Sequence, residues 1–186
     1  WIIGGSAFVI LLLVLLFVFK PFSSGKKYQA FDAIPDNSFT VFRLNNPDQL
    51  LNNSKAEKIK KNLSSYKNIG GLLTDLQKTA QILASTNNYK NLLQSPLYIS
   101  LHPAGNKTEV LYILELDGKA DGEKLAEELN ASGKITLTEK TIAEATCYTF
   151  GKKPFFIHVA GNLIIGTSSE SLMTSAVKTI ENNTGL

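Results

Sequence analysis

One cysteine, one arginine and two histidines are all that 186 residues hold of the side chains most used for redox, phosphate and metal chemistry. A lone Cys147 excludes an internal disulfide and any multi-cysteine metal site, and it leaves the redox compartment open. Arg43 stands alone among 19 basic residues. The guanidinium is the usual reader of phosphates and guanine edges, so a lysine-dominated chain argues against nucleic-acid binding. A formal net charge of +3 is too small and too evenly spread to reverse that reading. His102 and His158 fall in no metal-ligand spacing and have no acids clustered beside them. There is no phosphate loop, no G-x-G-x-x-G and no recognisable paired-carboxylate motif. The expectation is a chain with no cofactor, no metal and no nucleic-acid partner.

What the sequence does have is one long apolar run. "WIIGGSAFVILLLVLLFVF", Trp1 to Phe19, carries no charge. As a helix it would span about 28 Å, close to the hydrocarbon thickness of a bilayer. Leucine, valine and phenylalanine fall on every face, which a core helix does not need. No small-x-small cleavage site follows, as a signal peptide requires. Residues 1–20 are therefore expected to be a single transmembrane helix in contact with the lipid bilayer. Gly4, Gly5, Ser6 and Ala7 form a small-residue cluster that would let a partner helix approach closely, although plain anchoring accounts for the segment as well. Lys20, Lys26 and Lys27 follow the helix and suit contact with lipid headgroups. Read alone they place that side in the cytoplasm, whereas the common plan of an N-terminal anchor and an exported domain places it in the periplasm. The periplasmic reading is adopted, for a single-pass protein of a bacterial inner membrane.

Residues 21–33, "PFSSGKKYQ" and its continuation, read as a linker, and residues 34–186 as one domain. The sequence stops directly after a helix, so the natural protein is expected to be longer. "DNSFTVFRL", Asp36 to Leu44, follows a Pro-Asp-Asn turn and reads as a strand. "NNPDQLLNN" opens a helix with Asn46 as cap and Pro47 in first position. Amphipathic stripes over 55–66 and 70–83 predict two more helices. The period then changes to two. "PLYISLH" sets Leu97, Ile99 and Leu101 on one face, and "TEVLYILEL" does the same for Val110, Tyr112, Leu114 and Leu116, with Pro103 to Lys107 as the connecting loop. "DGEKLAEEL" reads as a helix, and "KITLTE", "ATCYTF", "PFFIHVA" and "NLIIG" as four strands, the last two joined through Gly161-Asn162. A closing helix runs from Ser169 to Ile180. The pattern is an α+β domain with a mainly antiparallel sheet and two hairpin-helix units, Leu97 to Leu129 and Phe155 to Ile180.

The stretch nearest to a catalytic layout is "GTSSES", Gly166 to Ser171. A nucleophile elbow needs G-x-S-x-G, and glutamate stands where the second glycine belongs. Thr167 followed three residues later by Glu170 fits a capping box instead. Cys147 lies inside a strand and reads as a buried structural thiol. "SSYK", Ser64 to Lys67, matches S-x-x-K without the companion motifs that would support it.

Three stretches together, "AIPDNSFTVFRLNNPDQL", "LQSPLYISLHPAGNKTEVLYILEL" and "NLIIGTSSESLMTSAVKTIENNTGL", following an N-terminal anchor, resemble a known pattern. It is that of the uncharacterised, membrane-anchored exported proteins of bacteroidete-type bacteria that carry a domain of unknown function. The resemblance implies an envelope protein with its soluble part in the periplasm, and it brings no family active site. Two functions stay open. One is a non-enzymatic interaction module binding another membrane or periplasmic protein, as an accessory subunit of an envelope complex such as export or folding machinery, through the Gly4–Ala7 end and an exposed sheet edge. The other is a binder or enzyme acting on a peptide, lipid or glycan, which a deep polar pocket around His102, His158 or Cys147 would favour.

Overall fold

The computed structural model describes residues 27–47, 92, 94–118, 120–133, 136–151 and 154–186. The expected anchor, its Gly4–Ala7 cluster and the expected helices over 55–66 and 70–83 lie outside them. Among the described residues no helix is long and apolar enough to cross a membrane.

Seven strands form one antiparallel sheet in the order β1-β2-β3-β7-β6-β5-β4. They are β1 (Thr40–Leu44), β2 (Leu97–Ala104), β3 (Lys107–Glu115), β4 (Thr138–Ile142), β5 (Ala145–Phe150), β6 (Phe155–Ala160) and β7 (Leu163–Thr167). Two helices accompany them, α1 (Gly122–Ala131) and α2 (Glu170–Asn182), together with a 3-10 turn at Ala30–Ala33. The α+β class with an antiparallel sheet is as the period-two pattern predicts.

Side-chain alternation divides the sheet into two apolar faces. On one, Leu111, Ile113, Leu163, Ile165, Phe156 and Cys147 pack under Leu172, Met173, Ala176, Val177 and Ile180 of α2. Those α2 positions recur at three and four residues, a stripe that buries itself only by lying flat on a sheet. On the other face, Leu125, Ala126 and Leu129 of α1 join a cluster with Leu97, Ile99 and Tyr148. Each fully buried Leu, Ile or Met contributes roughly 1.5–3 kcal/mol over its exposed state, so burial of these rows dominates stability. Both hairpin-helix units are present, but their helices lie on opposite faces, so the units are not related by a simple rotation.

Several local features differ from the sequence reading. The β2–β3 ladder runs on to Ala104 opposite Lys107, which leaves a two-residue turn in place of a five-residue loop. Gly105 supplies the left-handed φ of +59° that the first position of such a turn requires. Pro103 is accommodated because β1 ends opposite Leu101, so the missing N–H faces no strand on that side. The fourth expected strand begins at Thr138, not Lys134. Leu137 is buried, and its N–H donates to Asn130 Oδ1 at 2.6 Å, closing off the end of α1. The helix cap is also displaced. Ser169, not Thr167, is the N-cap of α2, its Oγ accepting from Leu172 N at 3.2 Å. Thr167 is still paired in the sheet, opposite Leu111 and Phe156. Glu170 then falls at the first helical position and pairs with Lys140 at 2.6 Å instead of closing a capping box.

The segment expected as linker is packed from Tyr28 onward. Tyr28 N donates to Asn162 Oδ1 at 2.7 Å and Ala30 N to Glu115 Oε2 at 3.2 Å, while Ala30 and Ala33 are buried. The tail after α2 crosses this turn so closely that a Cβ on Gly185 would collide with the Phe31 carbonyl oxygen and the Asp32 backbone. Only glycine fits there.

Candidate functional site at an edge strand

Among the described residues β1 and β4 are the two edges of the sheet, and they differ in chemistry. An open edge offers a row of backbone N–H and C=O groups, and proteins usually blunt it with charge. β4 is blunted: it reads Thr-Glu-Lys-Thr-Ile, with Glu139 exposed and Lys140 tied to Glu170. β1 reads Thr-Val-Phe-Arg-Leu and carries a single charge, that of Arg43. Phe42 on it is 47% exposed, and Phe39, just before it, 57%. Phe31 of the 3-10 turn is exposed as well.

The register places these groups. Arg43 lies opposite Tyr98, on the α2 face, and Phe42 lies opposite Ile99, on the α1 face. Arg43 sits 5.4 Å above the Tyr98 ring, and Phe31 meets the same ring edge-on at 5.7 Å. Burial raises the pKa of the Tyr98 phenol, and the neighbouring Glu115 carboxylate raises it further. The guanidinium is thus held beside the edge by cation–π attraction rather than left free to wave in solvent.

Beneath the edge lies a buried polar chain. His102 Nδ1 is 2.7 Å from Asn37 Oδ1, His102 Nε2 is 2.8 Å from Ser100 Oγ, and Ser100 Oγ is 2.8 Å from Ser38 Oγ. Because Asn37 Oδ1 can only accept, Nδ1 carries the proton and Nε2 accepts from the Ser100 hydroxyl. Ser100 in turn accepts from Ser38. Strand alternation puts Ser100 and His102 on one face of β2, and the turn before β1 lowers Asn37 and Ser38 onto them. The chain therefore fastens that turn, and with it Phe39, to the sheet.

A hydroxyl, an imidazole and an amide oxygen in this order are the parts of a nucleophile, its base and an orienting group. Here Ser100 is 0% and His102 1% exposed, so no substrate carbonyl reaches the hydroxyl. Burial lowers the His102 pKa, with Glu109 opposing, and keeps the ring neutral. The arrangement satisfies buried polar groups and positions a turn.

The other expected residues are dispersed. His158, on the α2 face of β6, donates from Nδ1 to the Thr146 carbonyl at 2.9 Å. Burial lowers its pKa, opposed by that hydrogen bond and by Glu181. Cys147 is buried, and desolvation pushes its thiol up to about 12, which leaves it unreactive at neutral pH. Lys27 is exposed where the described chain begins, and Gly4, Gly5, Ser6, Ala7, Lys20 and Lys26 lie outside the described residues. Among the described residues no group of three or more His, Cys, Asp or Glu is placed to hold a metal ion. Asn37, Ser38, Phe39, Phe42 and Ser100 were not marked by any motif. The legible signal is a short strand with one charge and one aromatic, Phe42, preceded directly by a second aromatic, Phe39.

The chain matches no family model, no curated protein and no solved structure.

Proposed function

We propose that this chain is a non-enzymatic, membrane-anchored interaction module that captures an extended segment of a partner protein along β1. The observation that carries the reading is the contrast between the two edges: β4 is charged, whereas β1 presents Phe39 and Phe42 and, among the described residues, pairs with no strand on its outer side. Adding a strand to such an edge gives affinity through main-chain hydrogen bonds and specificity through alternate side chains. The segment that fits has an apolar side chain against Phe42 and a carboxylate against Arg43. Trp1–Phe19 as a transmembrane anchor, with the domain in the periplasm of a bacterial envelope, agrees with the resemblance to bacteroidete-type exported proteins. In that setting the partner is another membrane or periplasmic protein, and the chain an accessory subunit of a larger complex such as export or folding machinery. Gly4 to Ala7 supply a second contact, between helices in the bilayer.

The test is co-purification of the full chain in mild detergent after in-cell crosslinking. A stoichiometric partner lost on Phe42→Lys, and retained on Thr141→Lys at the opposite edge, supports the reading. A partner retained by both variants, or a lone monomer in the wild type, overturns it. Loss on replacing Gly4 and Gly5 by leucine would assign the bilayer contact in addition.

A further inference from the structure

Between buried Pro35 and the start of β1 the chain makes a short turn, Asp36 to Phe39, that packs little apolar surface: Asp36, Asn37 and Phe39 are exposed. Three polar fastenings hold it to β2. His102 Nδ1 bonds to Asn37 Oδ1, His102 Nε2 reaches Ser38 through Ser100, and Phe39 N donates to the Leu101 carbonyl at 3.1 Å. A segment secured by a few hydrogen bonds and no packed core opens locally before the rest of a domain does. Two of the three fastenings pass through one ionisable ring, which is buried.

With the ring neutral, Ser38 donates to Ser100 and Ser100 to Nε2. A proton taken up at Nε2 reverses that arm. Nε2 then donates to Ser100, Ser100 to Ser38, and Ser38 to the carbonyl of Thr40 or Leu101, each 3.3 Å away. No hydrogen bond is lost, so the remaining cost is that of an imidazolium sealed from water. Little around the ring offsets it. Asn37, Ser38 and Ser100 are neutral, and exposed Asp36 points no charge that acts on it. Among the described residues β1 and α2 bring none either, and Glu109, opposite on β3, is the one carboxylate that favours the protonated ring. Desolvation outweighs Glu109 and lowers the His102 pKa. Lifting the turn uncovers the ring, hydrates it and returns it to its ordinary value near 6.5.

We propose that His102 is the catch of a clasp that opens in mild acid, lifting the turn Asp36–Phe39 from β2 and drawing Phe39 away from the β1 edge. The open turn takes up the proton that the closed turn refuses, so the open fraction grows as the pH falls. Between pH 7.5 and 5.5 the ceiling on that growth is about tenfold, reached when the closed turn takes no proton at all. The clasp stands on the fold alone, and only its bearing on capture rests on the reading of β1 as a docking edge. The closed turn holds Phe39 at the head of that edge, so acid weakens capture.

The test is amide hydrogen exchange of the full chain in detergent micelles, without a partner, read by NMR at pH 7.5 and 5.5 and corrected for the intrinsic pH dependence of exchange. The Phe39 amide, which bonds across to β2, is expected to be less protected than the slowest amides of β3 and β7 at both pH values. Its corrected rate is expected to rise several-fold at pH 5.5, up to that ceiling. The rise should vanish in His102→Leu and persist in Glu109→Gln, with protection in β3 and β7 reporting that each variant is folded. An equal corrected rate at the two pH values, or protection of Phe39 equal to that of β3 and β7, overturns the clasp. So does a rise that survives His102→Leu, or one lost in Glu109→Gln, which would assign it to the carboxylate. Any of these leaves the docking reading standing, whereas a failure to co-purify a partner leaves the clasp standing.

Discussion

Replacing His102 by leucine separates the two things the buried chain does. In the wild type the imidazole joins Asn37 to Ser100, and Ser38 Oγ also lies 3.3 Å from the carbonyl oxygens of Thr40 and Leu101. When the ring is removed, the Ser100 hydroxyl can turn to donate to Ser38 Oγ, and the Ser38 hydroxyl to one of those carbonyls. The hydroxyls stay paired, and Asn37, which is exposed, is solvated. The substitution should therefore cost only about 1–2 kcal/mol, near the value of one net hydrogen bond. Ser100→Ala should cost more, about 1–3 kcal/mol, because Nε2 then stays buried with no donor. The pH dependence is sharper. The folded-state pKa of His102 lies below its unfolded value of 6.5, as does that of His158. A base depressed in this way contributes stability that is complete above 6.5. That stability is lost as the pH falls below 6.5 towards the folded pKa, since only the unfolded chain takes up the proton. The loss reaches about 1.4 kcal/mol per pH unit for each histidine. Urea denaturation of the full chain in detergent, followed by circular dichroism at pH 7.5 and 5.5, should show a fall that His102→Leu reduces by one histidine's share. An unchanged fall, or a cost of more than about 4 kcal/mol at pH 7.5, would refute the reasoning.

The helix cap gives a second test. Ser169→Ala should destabilise the domain by about 1 kcal/mol in the same denaturation assay, and Glu170→Gln should not reproduce that loss, as it would in a capping box. Ala143 and Glu144 form the two-residue turn between β4 and β5 with φ of 48° and 65°, a conformation that disfavours side chains. Glu144→Gly should therefore raise stability by about 1 kcal/mol, and an unchanged urea midpoint would deny the strain. Gly185→Ala should lift the C-terminal tail from the 3-10 turn, read as faster amide exchange at Asp32 and Ile34, whose N–H groups bond within that turn at 3.0 and 3.2 Å. Exchange unchanged at both amides would contradict the packing.

The sheet was legible because half-buried strands have a period that cannot be mistaken for a helix. Leu97, Ile99 and Leu101, and Val110, Tyr112 and Leu114, share one face as their alternation predicts. Boundaries were less legible where two principles compete. Thr167 has the chemistry of a cap, but its backbone is claimed by the ladder to β3 and β6, so the helix begins two residues later. Leu137 has the pattern of a strand, but its N–H is taken by Asn130. The polar chain beneath β1 could not be read from spacing, since Asn37 and His102 are 65 residues apart and meet only because β1 pairs with β2.

The most direct measurement of the central claim is site-specific photo-crosslinking in the cell, with the probe in place of Phe42 on β1 and, separately, of Thr141 on β4. The account predicts one discrete crosslinked partner from position 42, abolished when Arg43 is replaced by glutamate, and no such product from position 141. Equal products from both edges, or a position 42 product indifferent to the charge at 43, would contradict it.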